Sequence, residues 1–516
     1  MTQAVNTDPR HGKAGRQPTK QFLDSLSGNK DPGLFGRMFP SLKAFSPPEP
    51  ALQALADAMK DASPNDPTGD NNNIPSGFTY LGQFVDHDIT LDLTSIAEKS
   101  EDPQATTNFR TPRLDLDSVY GLGPDGSPQL YARDPAKGNQ PSAKLLIGKN
   151  IQVPAGGVVG QFRNDLPRSP EGHALIGDHR NDENLLVAQT HLAFLKFHNK
   201  VVDTLAASAS PPANIFSEAR RLVMWHYQWM VLHDFVERIT QVGIVDKILH
   251  EGRKFYRFKK VPYMPVEFSA AAYRLGHSMV REEYSHNRIF TPGGLTPATL
   301  SLEFAFSGLS GGIIGDLAPN PPVAPTPVPV LPSNWIIDWR RFYQFNTPAT
   351  TPLFLFNHSR KLDPFLVPQL HTLPGGGGSL PFRNLKRGAM LGLPSGQDVA
   401  KAMKLPVLTP AEIATGTDGT VAKAHGFDKK TPLWYYILKE AQVKGGSERL
   451  GPVGARIVAE VFIGLVAGDV SSYLGVNPKW KPTLPSKTPG TFLMTDLLQF
   501  VGDLSPIDQI TTVTTL

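Results

Sequence analysis

The sequence predicts a mainly α-helical protein with a few short β-strands and long Pro/Gly-rich loops, and three observations carry that reading. Apolar residues recur at the 3.6-residue period along much of the 516-residue chain. Strand-like alternation is rare. The 46 glycines and 48 prolines fall largely between the periodic stretches, where they supply turns and irregular connections. Taken in order, residues 1–34 are polar and read as a loosely held arm. The segment PEPALQALADAMKDA opens with proline and repeats apolar positions at Leu52, Leu55, Met59 and Ala62, which predicts a helix. Similar periodicity predicts helices over about 183–206, 217–243, 268–284, 396–404, 432–442 and 452–467. LLIGKNIQV, 145–153, is the best strand candidate. Two segments break the pattern: the Pro-rich 319–332, an extended polyproline-like connection, and the four glycines 375–378. Length alone allows about three domains. The helical segments on both sides of these breaks are alike in composition, so we read them as loops of one large domain, 35–516.

Composition narrows the chemistry. Forty per cent apolar and 19% charged residues permit a large core and exclude global disorder. No run approaches the ~20 apolar residues of a membrane-spanning helix. A net charge of +4 without a dense basic run gives no support to nucleic-acid binding. Cysteine is absent, which removes disulfides, thiolate metal sites, thiolate-ligated haem and cysteine nucleophiles together. The N-terminus lacks the apolar stretch of a secretory signal, so a cytoplasmic location is the default expectation, with nonclassical export compatible.

Three segments concentrate chemistry-bearing residues. In Tyr80–Asp88, a helical spacing puts Gln83 and His87 on one face with Asp86 beside them. Asp88 is turned about 100° away, toward a different site. In Arg110–Gly121, Asp115 and Asp117 alternate with backbone carbonyls after Thr111, an oxygen-only set that suits Ca2+ better than Mg2+. In Gly177–Asn184, Arg180 and Glu183 stand three apart at a helix start and can share a cavity. Each segment alone has an ordinary structural explanation, as a core histidine, a turn, or acids at a helix N-terminus.

Together, and with two further segments, they resemble the animal-type haem peroxidases of the peroxidase–cyclooxygenase superfamily. GQFVDHD is similar to that family's distal-haem motif, TPRLDLDSVYG to its calcium loop and GDHRNDE to its catalytic-arginine motif. AYRLGH, 272–277, is similar to its proximal-histidine segment, and RNLKR, 383–387, followed by Gly392-Leu393-Pro394, to its proximal-asparagine segment. The resemblance spans roughly 35–505. It implies a helical haem-peroxidase fold and a haem-dependent reduction of hydrogen peroxide through an oxo-ferryl intermediate, with small organic donors or (pseudo)halides as reductants.

The roles it implies are these. His277 ligates the iron of haem b, a choice consistent with a neutral imidazole in a chain without cysteine, and Asn384 fixes its ring. His87 is the acid–base residue, Arg180 the fixed positive charge, and Gln83 the group that orders water or a small anion. Arg387 pairs with a propionate. Asp86 and Glu183 match the positions that are ester-linked to haem in many relatives. Asn184 follows Glu183 where a sulfonium link would need methionine, which weakens any expectation of chloride oxidation. Asp88, Thr111, the carbonyl of Arg113, Asp115 and Asp117 form the calcium set.

Rival readings are a fatty-acid dioxygenase of the same superfamily and a non-catalytic haem- or calcium-binding module. The dioxygenases use a tyrosine three residues before the proximal histidine; here that residue is Arg274, and Tyr273 is four before. Loss of activity would be expected to erase His87 or Arg180 first, and both are present. No His-Glu-x-x-His pattern supports a zinc protease, and neither glycine run has the Lys-Ser/Thr of a phosphate loop. His191, His198, His226 and His233 read as core histidines.

Overall fold

Helices dominate because the periodic segments have one apolar face each and several have a side chain to stop the fraying of their first turn. In the computed structural model, which describes residues 35–91, 110–151, 162–294, 296–305, 307, 330–345, 354–373 and 377–508, the main helices are α1 Glu49–Ala58, α2 Gly77–Ile89, α3 Leu185–Ala206, α4 Ile215–Met230, α5 Ile244–Glu251, α6 Leu380–Met390, α7 Gly416–Ala424, α8 Leu433–Lys444, α9 Pro452–Ala467 and α10 Met494–Val501. Asn184 caps α3 and Asn214 caps α4, each carboxamide oxygen accepting a backbone N–H three residues on, at 2.9 Å. The N-terminal arm, 319–329 of the Pro-rich segment and 374–376 of the glycine-rich segment lie outside the described residues.

The strands are short and come in pairs: β1 Phe35–Gly36 with β5 Met264–Pro265, β2 Asp70–Pro75 with β8 His358–Arg360, β3 Tyr131–Asp134 with β4 Gln140–Leu145, and β6 Glu283–Tyr284 with β7 Ala298–Thr299. Only the first pair is parallel. The predicted strand at 145–153 is displaced: β4 ends at Leu145, and 146–151 make isolated bridges instead, with 152–153 outside the described residues. The reason is local, since Asn150 bonds the carbonyl of Leu331 and the N–H of Asn164 and so closes the chain onto two loops. The predicted helix at 268–284 also differs. Val266–Ser269 is one α-turn, the backbone breaks at Ala271 (φ −136°, ψ −75°), and Ala272–Met279 follows as a tighter 3₁₀ segment.

Packing converges on α2, α3 and α9. Phe84 of α2 stacks on Phe194 of α3 with ring centroids 4.7 Å apart, and Tyr227 of α4 meets both edge-on. α9 is apolar nearly all round and buried accordingly. Its Phe462 touches the rings of Phe235, Phe268 and Tyr273. After α4 the chain widens into a π-helical turn, Val231–Val236, which carries Phe235 toward α2.

One support is electrostatic. Trp434 at the start of α8 donates its indole N–H to the carbonyl of Arg274, under the 3₁₀ segment. Further along α8, fully buried Lys439 bonds Asp418 of α7 at 2.9 Å and the Thr415 carbonyl at 2.6 Å, while Tyr435 donates to Asp418 at 2.6 Å. Removing one member of such a pair strands the other charge in a low-dielectric interior. Asp418→Ala is therefore expected to cost about 3–5 kcal/mol of unfolding free energy. Urea denaturation that shows no loss would contradict this account of α8.

Candidate active site

The 3.6-residue period of α2 puts Gln83, Asp86 and His87 on the wall of one cavity of about 570 Å³. On other parts of the same wall are Arg180 and Glu183 from the segment before α3, Tyr273, Arg274 and His277 from the 3₁₀ segment, and Asn384 and Arg387 from α6. Its size is that of a cavity for a sizeable organic ligand. The remaining lining is largely apolar, including Phe35, Phe78, Phe235, Leu300, Phe304 and Leu370. The two imidazoles that the sequence singled out, His87 and His277, thus face a common space. Tyr273 ties their segments together by donating its hydroxyl to the carbonyl of Gly82 in α2, at 3.0 Å.

His87 is buried, and its basicity is lowered first by desolvation and then by the nearby Arg180 charge, with Glu183 and Asp86 opposing. Its Nδ1 lies 2.8 Å from Oδ1 of Asn181, and its Nε2 lies 3.6 Å from Glu183. Glu183 also accepts a short hydrogen bond from Gln83, whose carboxamide oxygen in turn accepts from Asn184 at 3.0 Å. Gln83 is therefore spent on a network with Glu183 and Asn184. Asp86 accepts from the Thr90 hydroxyl at 2.9 Å.

Arg180 makes a different set of bonds from those its place in the sequence suggests. Its Nη2 donates to the carbonyls of His87 (3.0 Å) and Thr90 (2.8 Å), at the C-terminal end of α2. A guanidinium there compensates both unpaired carbonyls and the negative end of the helix dipole. Asp178 grips the same guanidinium through Nε (3.3 Å) and Nη2 (2.8 Å) and also pairs with Arg110. The segment of Arg180 is thus fastened to the segment of His87. Gly177 permits it: a Cβ there would sit 2.7 Å from the carbonyl oxygens of both Asp117 and Ser118.

His277 is half-buried at the cavity wall, and desolvation pulls its pKa down to about 3, with the Arg274 charge acting in the same direction. Its Nδ1 lies 2.9 Å from Nδ2 of Asn384, so in this orientation the amide donates and the ring accepts. A ring nitrogen that binds iron through Nε2 needs the reverse, with Nδ1–H donating to Oδ1. A half-turn of the planar amide supplies it, because its oxygen and nitrogen are isosteric.

Behind α2, Asp88 is fully buried. Its Oδ2 accepts from the backbone N–H of Leu116 (3.2 Å) and from the Tyr227 hydroxyl (3.3 Å), while its Oδ1 has no partner among the described residues. Desolvation, then the charges of Asp115 and Asp117, holds its carboxyl well above the usual range. Asp115 is raised by burial as well. Leu116 sits between those acids with φ +55°, a left-handed conformation that costs a β-carbon residue about 1–2 kcal/mol. Thr111 reaches Asp115 at 3.4 Å and Asp117 meets Arg220 at 3.4 Å. Arg113 is brought to the same loop. These acids are neighbours without closing on one point: among the described residues no group of three or more His or carboxylate side chains is assembled as a metal site. An orphaned carboxylate oxygen and mutual repulsion are nonetheless what a hard cation would relieve, and the donors present fit one.

Sequence reasoning left Asp178 and Asn181 without roles, although both stand inside the segment it quoted. Their chain neighbours carried the visible pattern, and only the fold shows what these two touch. Trp434 was missed for the same reason, and Tyr273 was weighed only against the dioxygenase tyrosine, without its bond to Gly82.

Residues 92–306 match the animal haem peroxidase family model. That stretch contains the Asp115 loop, Arg180, Glu183 and His277, while His87 lies just before it and Asn384 after it. A peroxidase-like protein of Margaritifera margaritifera is 33% identical over 150 residues, 26% of this chain and 17% of that protein. A chorion peroxidase of Drosophila melanogaster is 26% identical over 326 residues, 58% of this chain and 35% of that protein. The matches therefore cover well under two thirds of either relative. In fold, the chain is similar to peroxidase A from Dictyostelium discoideum (TM-score 0.56, 14% identity, 93% of this chain and 98% of that one). It is similar as well to a fatty acid alpha-dioxygenase of Arabidopsis thaliana (TM-score 0.54, 14% identity, 98% and 81%).

Of the histidines away from the cavity, His198 is the best defined. Its Nε2–H donates to the Ala143 carbonyl at 2.8 Å, its Nδ1 accepts from the Tyr120 hydroxyl at 3.1 Å, and burial takes its pKa down to about 4. An unfolded chain protonates that ring near pH 6.5. Between those values the unfolded state binds the extra proton, so this contribution to stability falls as the pH falls. The unfolding free energy of wild type relative to His198→Phe is expected to drop by about 1.4 kcal/mol per pH unit below pH 6. A pH-independent difference would show that the ring is charged in the fold.

Proposed function

We propose that this chain, which belongs to the peroxidase–cyclooxygenase superfamily, holds haem b in its central cavity and reduces hydrogen peroxide at the expense of small organic donors or (pseudo)halides. One observation carries the reading: two imidazoles from segments far apart in sequence, each bonded through Nδ1 to an asparagine, line a single cavity together with Arg180. His277 would ligate the iron, Asn384 would hold its ring, and Arg387 would meet a propionate. Bound there, haem supplies the redox chemistry that no side chain of this protein offers.

The protein's part is protons and charge. His87, neutral because buried, accepts a proton from peroxide at Nε2 and returns it to the departing oxygen. Arg180, already fixed by Asp178 and the end of α2, gives a positive charge that needs no reorganisation as negative charge develops. Gln83, engaged by Glu183 and Asn184, holds the Glu183 carboxylate beside His87 in place of ordering a small molecule itself. Asp86 and Glu183 stand on the cavity wall as candidates for ester links to haem; Asn184, at the place of a sulfonium donor, is engaged in capping α3. Calcium at Asp88, Asp115, Asp117, Thr111 and the Arg113 carbonyl would tie α2 to the loop behind it and so hold His87 in place.

A fatty-acid dioxygenase is the second reading, and the apolar share of the cavity wall favours it. Against it stands the 3₁₀ geometry: at three residues per turn Arg274 eclipses His277, and Tyr273 is rotated about 120° away with its hydroxyl committed to Gly82.

Titration with haemin should give a Soret band that His277→Ala weakens or shifts. His87→Ala should then slow the spectral response to peroxide by about 10²–10⁴-fold. Guaiacol oxidation with peroxide, set against oxygen uptake with linoleate, separates the two readings; oxygen uptake alone would overturn the peroxidase. Acid–acetone should leave part of the haem on the protein, and complete extraction would exclude the ester links. Added calcium should raise the melting temperature of wild type but not of Asp88→Asn; equal shifts, or none, would remove calcium from the account.

A further inference from the structure

Asn181 and His191 have no part in the proposed chemistry as described so far, yet they continue it inward. Asn181 is fully buried at the segment before α3 and presents its two amide atoms to two rings. Oδ1 lies 2.8 Å from Nδ1 of His87, and Nδ2 lies 2.9 Å from Nδ1 of His191, on α3. His191 is enclosed, with Phe84 edge-on at 5.8 Å, and its Nε2 has no partner among the described residues. No charged group meets an Nδ1 in this row, while the Glu183 carboxylate lies 3.6 Å from Nε2 of His87. A neutral imidazole has one N–H and one lone pair.

The direction of the amide then decides which face His87 shows the cavity. With Oδ1 toward His87, the ring's proton sits on Nδ1, is donated to the amide, and the Nε2 lone pair points at the cavity. With the amide reversed, Nδ2 donates to Nδ1 and the proton moves to Nε2, so the cavity meets a donor in place of a base. A lone asparagine beside one histidine has little to choose between these. Here a second ring meets the other end of the amide through its Nδ1, so one asparagine couples the tautomers of both rings.

We infer that Asn181, oriented by His191, is a positioning pair that locks His87 in the tautomer whose Nε2 accepts a proton. His191 thereby acts on the cavity from behind α2 without reaching it. The inference rests on the reading of His87 as the acid–base residue, and deepens it by naming what sets that residue's polarity.

The test uses ring-¹⁵N-histidine-labelled protein loaded with haem, in the diamagnetic ferrous carbonyl state, together with the rate of the ferric form with peroxide. Wild type should show His87 protonated at Nδ1. Asn181→Leu, close to isosteric, and His191→Phe, which keeps the aromatic packing, should each move the proton partly or wholly to Nε2 and slow the peroxide reaction at least tenfold. Asn181→Asp, which keeps an acceptor toward His87, should restore the Nδ1–H signal. If both Asn181→Leu and His191→Phe leave the His87 tautomer as in wild type, the lock is overturned, whichever way the rates move. A His87→Ala protein as fast with peroxide as wild type would instead overturn the acid–base reading itself. The two failures are thus told apart.

Discussion

Desolvation of an imidazole disfavours its charged form, and the whole cavity is arranged around two rings in that condition. His87 is buried and His277 half-buried, and each meets an asparagine through Nδ1, which fixes the plane of the ring. A neutral ring with one lone pair is the useful state on either side: a metal ligand needs that lone pair, and so does a base. Carboxylates in place of the asparagines would pull the rings toward the protonated state. An amide orients without adding charge.

Holding such rings in place has a structural cost, and the fold meets it with polar ties between segments rather than with a larger core. Arg180 closes the end of α2, Asp178 holds Arg180, and Gly177 lets that segment lie against the carbonyls of the Asp117 turn. Asp88 is turned away from His87 on the same helix, and desolvation, then the charges of Asp115 and Asp117, raises its carboxyl. One short helix thereby carries a cavity-lining imidazole and a buried carboxyl on different faces. Any cation that relieved the acids would stiffen the base without touching a substrate.

The proximal side is built differently. Instead of a continuous helix, a break at Ala271 starts a 3₁₀ segment whose three-residue turn sets Arg274 over His277 and swings Tyr273 onto Gly82. Trp434 holds the Arg274 carbonyl from beneath, and the Lys439–Asp418 pair anchors the helix that carries Trp434. The chemistry of the cavity is in this sense supported by charges buried well away from it.

Much of this was legible in the sequence. The helical period alone puts Gln83, Asp86 and His87 together and turns Asp88 away, because side-chain direction on a helix follows from residue spacing. The absence of cysteine excluded thiolate ligation, and the ordered segments up to RNLKR carried the resemblance to the animal-type haem peroxidases. What the sequence did not contain is contact between segments distant in the chain. It could not show that Arg180 binds the carbonyls of α2, that Asn181 bridges His87 and His191, or that the segment of His277 abandons the α-helix after Ala271. Those depend on which surfaces meet when apolar faces are buried, a property of the packed chain as a whole and not of any local window within it.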